Sequence, residues 1–254
     1  QQEAEKVALE APLEILSVPV SPATAPSGMV LVLGGRVLAR DLPFHTPSTA
    51  ATTVPAFFMD TAEVTNSEYA QFLATLPVPE RKTRGPRVGF VPDPEQDGAP
   101  IVIKGLEDMP VTGITPTDAR AYAARRSQRT GKRVRLPSEA EWVLAAGATM
   151  GHDLANGASG ERNEAEFVAP LRSAGAHVKD VSPYGVKGLL GNAREMVTSY
   201  LEDLKDAAVL VKGAGVGDDP DQGAIYIQRV LKGDERHVTT GFRCVQDVGA
   251  APPR

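Results

Sequence analysis

Cysteine and tryptophan are scarce in this sequence, with one of each in 254 residues. The single cysteine, Cys244, excludes an internal disulfide framework and a zinc site built from several cysteines. The four histidines are far apart and show no metal-ligand spacing, so they are predicted to be solvated or satisfied in the core. Nucleophile motifs of the type Gly-x-Ser-x-Gly and phosphate-binding loops ending in Gly-Lys-Ser/Thr are also missing.

Long hydrophobic runs and a strong net charge are missing too. The apolar run at residues 29–33 stops at Gly34, far short of the ~20 residues that cross a membrane as a helix. With 42% hydrophobic residues and a net charge of -5, the chain is predicted to fold and not to be disordered. A pI near 5.5 argues against a nucleic-acid partner, because that binding depends on clustered positive charge.

The chain is predicted to contain one main domain at residues 28–246. Residues 1–27, with prolines at 19, 22 and 26, are predicted to form an extended linker or N-terminal arm. Residues 247–254 are predicted to be a C-terminal tail.

Three helices are predicted, two of which start at a capping box. Thr65 with Glu68, and Ser138 with Glu141, form capping boxes in which each side chain satisfies an amide of the first turn. The remaining helix starts after Thr115. Gly131 and Gly147 are predicted to end the second and third helices. Eight apolar residues of the three helices are predicted to face the core: Tyr69, Phe72, Leu73, Ala119, Tyr122, Ala123, Trp142 and Ala145.

Short β-prone runs are predicted as strands at residues 29–33, 195–198, 209–211, 225–230 and 242–245, with a loop at 46–53. Few helices placed early and many short strands placed late predict an α+β domain rich in loops.

Two charged segments each allow a structural and a functional interpretation. Residues 93–98 have the alternating oxygens of a calcium loop, but Lys104 stands where that loop needs a glutamate, which favours a solvated acidic turn. Residues 125–135 carry six positive charges without interleaved aromatics, which favours a solvated helix face over a nucleic-acid site.

Several sequence blocks, taken in order, resemble formylglycine-generating-enzyme-like (sulfatase-modifying factor) domains. FMDTAEVTN at 58–66, RLPSEAEW at 135–142, GNAREM at 191–196 and GFR at 241–243 are similar to signatures of that family, and residues 29–35 resemble its opening. The resemblance covers about residues 28–246 and implies an elaborated C-type-lectin-like fold. Within it, Arg243 is predicted to bind several loop carbonyls through its five donors.

The departures from the family pattern bear on function. Catalytic members resemble one another in binding copper with two nearby cysteines between a glycine-rich strand, here residues 211–215, and a later arginine, here Arg229. Residues 216–228 between them contain no cysteine, and Cys244 lies after the closing block. The resemblance therefore implies a pseudoenzyme without the copper-binding pair.

No cofactor is expected, although the resemblance allows a structural calcium ion. It would bind the main chain of Gly191 and Ala193 and the carboxylate of Glu195, but Gly188 stands at the position of an upstream asparagine ligand. Asn163 resembles a ligand of a second family site.

The resemblance and its departures predict a non-catalytic binding or scaffold domain that presents its C-terminal loops to a protein or peptide partner. The groove left at the enzyme's active site is expected to offer acidic, amide and aromatic side chains suited to a peptide or basic partner: Asp218, Asp219, Asp221, Gln222, Tyr226 and Gln228. One alternative is a structural subunit of a larger bacterial envelope or surface assembly, which would place the chain in the envelope or outside the cell. Another is a divergent enzyme that uses Cys244 as a nucleophile.

Overall fold

The structure is a computed structural model that describes residues 25–38, 51–147, 171–176, 180–198, 208–215 and 229–249. These residues contain four α-helices: α1 Asn66–Ala74, α2 Val78–Arg84, α3 Pro116–Thr130 and α4 Glu139–Ala145. They also contain twelve strands: β1 Met29–Val32, β2 Gly35–Leu38, β3 Ala51–Val54, β4 Phe57–Asp60, β5 Phe90–Asp93, β6 Ala99–Val102, β7 Val134–Arg135, β8 Arg194–Val197, β9 Ala208–Lys212, β10 Arg229–Lys232, β11 Thr240–Gly241 and β12 Val245–Asp247. No helix in these ranges is long and apolar enough to cross a membrane.

Two four-stranded sheets organise the chain. The first has the antiparallel order β1-β4-β12-β7, so the start, the middle and the end of the sequence meet in it. The second has the order β10-β9-β8-β11, in which only the β8–β11 pair is parallel. Two hairpins, β2–β3 and β5–β6, form separate two-stranded sheets.

The three predicted helices are confirmed together with the two predicted capping boxes. The Thr65 hydroxyl accepts a hydrogen bond from the Glu68 amide, and the Glu68 carboxylate accepts one from the Thr65 amide. The same reciprocal pair starts α4, and Thr115 with Asp118 forms a third capping box at the start of α3. At Gly131 the backbone is left-handed, with φ 65°, and its amide donates to the Ser127 carbonyl to end α3.

Two hydrophobic clusters lie on either side of β9. Trp142 of α4 packs with Met59 and Leu210 in the first cluster. In the second cluster, Tyr122 of α3 packs with the aromatic side chains of α1 and with Val209 and Val211. Because alternate residues of a strand point to opposite faces, β9 serves both clusters and is buried along its whole length.

The strand predicted at 242–245 is wrong for residues 242–244, and only Val245 lies in a strand. Gly241 pairs with β8 in the second sheet, whereas Val245 pairs with β4 and β7 in the first. The residues between them pass from one sheet to the other and have no strand partner of their own. This crossover places Arg243 between the two sheets, fully buried.

Other boundaries also differ from the sequence prediction. The first strand ends at Val32, and Leu33 is 56% exposed. The loop predicted at 46–53 is wrong from Ala51 onward, because β3 pairs there with β2. Helix α2 and the β5–β6 hairpin were not predicted, since α2 buries no side chain and the hairpin contains Pro92 and Pro100. Of the run predicted at 225–230, only residues 229 and 230 lie among the described residues.

The two charged segments of the sequence have structural contacts. Residues 93–98 form the turn between β5 and β6, where Asp93 caps a short 3-10 turn and Asp97 pairs with Lys82 at 2.9 Å. The prediction that the basic residues 125–135 form only a solvated helix face is wrong for two of them. Arg126 donates to both oxygens of Asp60, each at 2.7 Å, and Arg135 binds the Glu141 carboxylate.

Candidate functional site

The predicted contact surface is described only at its borders. Asp218, Asp219, Asp221, Gln222, Tyr226 and Gln228 lie outside the described residues, as does Asn163. The described borders of that segment are the end of β9 with Gly213–Gly215, and the beginning of β10. The segment is therefore anchored on both sides by adjacent antiparallel strands, with Arg229 opposite Val211.

An open pocket of about 260 Å³ lies beside β10. It is lined by Arg229, Val230, Leu231, Glu235, Arg236 and His237. Leu231 is buried, whereas Val230 keeps 39% of its surface exposed. The pocket thus combines an apolar floor with charged side chains of both signs, next to the loop that was predicted to bind a partner.

Arg236 fixes one wall of this pocket. Its guanidinium donates to the carbonyls of Thr83, Gly85 and Gly113 at 2.8–3.1 Å, and to the Asp118 carboxylate at 3.1 Å. These contacts tie the chain after β10 to α2 and to the start of α3. These four hydrogen bonds hold the guanidinium in one orientation.

A second polar cluster lies where β9 ends. Arg194 donates to the Thr239 hydroxyl at 2.7 Å, and that hydroxyl lies 3.1 Å from Nδ1 of His237. A Cβ at Gly215 would lie 3.1 Å from Cγ of Arg194 and 3.4 Å from the Thr239 hydroxyl. Glycine at 215 therefore lets Arg194 and Thr239 pack closely against the beginning of the candidate loop.

Cys244 lies in the core and not at this surface. Its side chain is fully buried, and its amide donates to the Asp60 carboxylate, which is also bound by Arg126. Burial, followed by the charge of Asp60, raises the pKa of the Cys244 thiol well above its usual value. A nucleophilic cysteine needs access and thiolate character, and this environment provides neither.

Glu195 and Arg243 form a buried ion pair between the two sheets. Nε and Nη2 of Arg243 donate to the two Glu195 oxygens at 2.8 and 2.5 Å, and Nε1 of Trp142 donates to Glu195 at 2.9 Å. Arg243 also donates to the carbonyls of Asp60, Lys187 and Gly188, as its sequence context predicted. The Glu195 and Trp142 contacts were not predicted, because nothing in the sequence pairs positions so far apart.

Glu63 lies beside this ion pair and is 2% exposed. Its Oε1 accepts a hydrogen bond from the Asn192 amide at 2.8 Å, while its Oε2 has no hydrogen-bond partner. Burial raises the pKa of Glu63 from 4.5 to about 7, against the opposing effect of Arg243. Glu63 was not predicted as a site residue, although an acidic residue inside an otherwise buried sequence block indicates a buried carboxyl group.

A further buried pair joins Lys212 to Glu139 at 2.8 Å, at the end of β9 and the start of α4. Burial lowers the pKa of Lys212, against the opposing charge of Glu139. Neither residue was predicted as part of a site. Within the described ranges, no group of three or more His, Cys, Asp or Glu side chains is placed to hold a metal ion.

The blocks, the two-sheet fold and the order of its elements define a class of protein. A model of the sulfatase-modifying factor enzyme 1-like domain matches residues 17–248. The chain belongs to this formylglycine-generating-enzyme-like family, as the sequence resemblance implied.

Comparison with individual proteins gives the same family setting. The chain is 29% identical over 233 residues to the serine/threonine-protein kinase Pkn1 of Chlamydia trachomatis. That alignment covers 82% of this chain and 35% of the kinase. The chain therefore spans about a third of the length of this relative.

Solved structures share the fold. PvdO from Pseudomonas aeruginosa superposes with a TM-score of 0.60 at 19% identity, covering 86% of this chain and 94% of PvdO. CarF gives 0.57 at 20% identity, with 88% and 99% covered, and Treponema denticola variable protein 1 gives 0.55 at 17%, with 86% and 94% covered. These matches confirm the predicted α+β, formylglycine-generating-enzyme-like fold.

Proposed function

We propose that this chain is a non-catalytic binding or scaffold domain that presents its C-terminal loops to a protein or peptide partner. The observation that carries the proposal is the cysteine content of the chain. The enzymes it resembles bind copper with two cysteines, and this sequence has only Cys244. One sulfur cannot provide the two-thiolate site that soft Cu(I) prefers.

The environment of Cys244 supports the same proposal. Its thiol is buried and its pKa is raised by that burial, so it is poorly suited to replace the missing pair or to act as a nucleophile. The divergent-enzyme alternative has no other candidate nucleophile among the sequence motifs.

The position of the loop supports a binding role. Residues 216–228 connect two adjacent strands of a packed sheet, and such loops tolerate changes in composition while the scaffold holds their ends. The relative Pkn1 is about three times longer than the matched region. This arrangement supports a module that works as part of a multidomain protein or a larger complex.

The catalytic part of the proposal is tested by turnover. The purified chain, reconstituted with Cu(I), is incubated under oxygen with a cysteine-containing sulfatase peptide. We expect no aldehyde product by mass spectrometry and no oxygen uptake above the metal-free control. Copper-dependent conversion of the cysteine to formylglycine would refute the proposal.

The binding part is tested with loop variants. A protein captured by the tagged chain from its source cells is identified, and capture is repeated with Asp218→Asn, Asp219→Asn and Asp221→Asn combined. We expect the triple variant to lose that protein, while the control Glu95→Gln, an exposed acid on the β5–β6 turn, retains it. Equal capture by both variants would show that the acidic loop is not the contact surface.

A further inference from the structure

The buried Glu195–Arg243 pair lies where the family resemblance implies a structural calcium ion. That ion would take the main chain of Gly191 and Ala193 and the carboxylate of Glu195. A calcium ion needs six to eight oxygen ligands, with carboxylates free to approach it. The fit of this chain to calcium therefore depends on what the Glu195 carboxylate already binds.

The residues present do not fit calcium. Both Glu195 oxygens are already bound, one by Nη2 of Arg243 and the other by Nε of Arg243 and Nε1 of Trp142. A divalent ion at this carboxylate would have to displace a guanidinium that is itself fully buried, or lie against its positive charge. Gly188 contributes no side-chain oxygen.

We infer that no calcium ion binds at Glu195 in this chain, and that the Arg243 guanidinium is the cation that joins Glu195 to the 187–188 loop and to the end of β4. The contacts support this directly. Arg243 donates to Lys187 at 2.8 Å, to Gly188 at 3.5 Å and to Asp60 at 3.2 Å, as well as to Glu195. A covalently attached cation thus connects these three segments.

The chain offers a specific probe for this inference, because Trp142 is its single tryptophan and donates directly to Glu195. Terbium, which binds calcium sites, would lie next to the indole and emit when Trp142 is excited. The full chain is titrated with terbium and then with excess calcium, alongside Glu195→Gln as the site variant and Glu95→Gln as the control. Melting curves of the unmodified chain are recorded in calcium and in chelator.

We expect no terbium emission from this site, which would be emission that calcium displaces and that Glu195→Gln abolishes. The melting curves in calcium and in chelator are expected to superimpose. Calcium-displaceable emission that is lost in Glu195→Gln but kept in Glu95→Gln would overturn the inference. A melting temperature raised by calcium together with calcium-displaceable emission from beside Trp142 would also overturn it, because a ligand that binds the native state must raise its stability. This second measurement decides the matter if Glu195→Gln fails to fold, and neither depends on whether the domain is catalytic.

Discussion

Glu63 makes the stability of this domain depend on pH in a way that one substitution can isolate. Its carboxyl is 2% exposed, accepts one hydrogen bond from Asn192 and has a second oxygen without a partner. Ionising it in the folded state is costly because burial removes the carboxylate from water, and the nearby charge of Arg243 offsets that cost only in part. Glu63→Gln keeps the shape and the acceptor for Asn192 but removes the ionisation.

The magnitude follows from the pKa. Burial raises the pKa of Glu63 from 4.5 to about 7, and each unit of pKa difference between folded and unfolded chains corresponds to about 1.4 kcal/mol. Because the folded pKa is the higher one, the stabilising contribution is fully present below pH 4.5 and is lost as the pH rises to 7. The free energy of unfolding therefore loses ~3 kcal/mol from this group across that window.

Urea unfolding at pH 5, 6, 7 and 8 tests this. We expect the free energy of unfolding of Glu63→Gln, minus that of the unmodified chain, to increase by ~2.5 kcal/mol from pH 5 to pH 8. Taking the difference removes the contribution of Asp60, whose pKa is also raised by burial and which is unchanged in both chains. The control Glu95→Gln, an exposed acid, is expected to show a difference independent of pH. A flat difference for Glu63→Gln would refute the reasoning.

Three further outcomes follow from the same structure. Gly188→Ala should destabilise the fold by ~1–3 kcal/mol in urea, because φ is +69° and the new Cβ would lie 3.1 Å from the Glu63 carboxylate. Gly131→Ala, at a position that is also left-handed but has open space around it, should destabilise the fold less. Equal losses of stability in the two variants would contradict this argument. Arg126→Met should lower the free energy of unfolding by ~3–5 kcal/mol, because it leaves the buried Asp60 carboxylate without its cation. Arg125→Met, at the exposed neighbouring position, should change the free energy of unfolding by no more than about 0.5 kcal/mol. Similar values for the two variants would mean that the buried pair is not stabilising. Cys244 should resist a small thiol reagent in the native chain and react fully in urea, and stoichiometric native labelling would revive it as a candidate nucleophile.

Local sequence signals predicted the helices well and the strands only in part. The capping residues at 65, 115 and 138 fix where three helices begin, because the hydrogen bonds concerned lie within four residues of one another. Strand ends depend on partners that are remote in sequence. β3 was predicted as a loop because it becomes a strand only by pairing with β2, and that pairing is not visible in the local sequence. Residues 242–244 were predicted as a strand, although the residues on either side of them join different sheets.

The sequence by itself determined the family, the α+β class, the positions of three helices and the presence of a single cysteine. These properties are fixed by short motifs and by composition, which need no knowledge of distant contacts. Only the tertiary structure decided which charges meet inside the protein: Arg243 with Glu195, Arg126 with Asp60, and Glu63 with Asn192. Those partners are 48 to 129 positions apart in sequence, and the strength of each contact depends on a burial that only the packed sheets create.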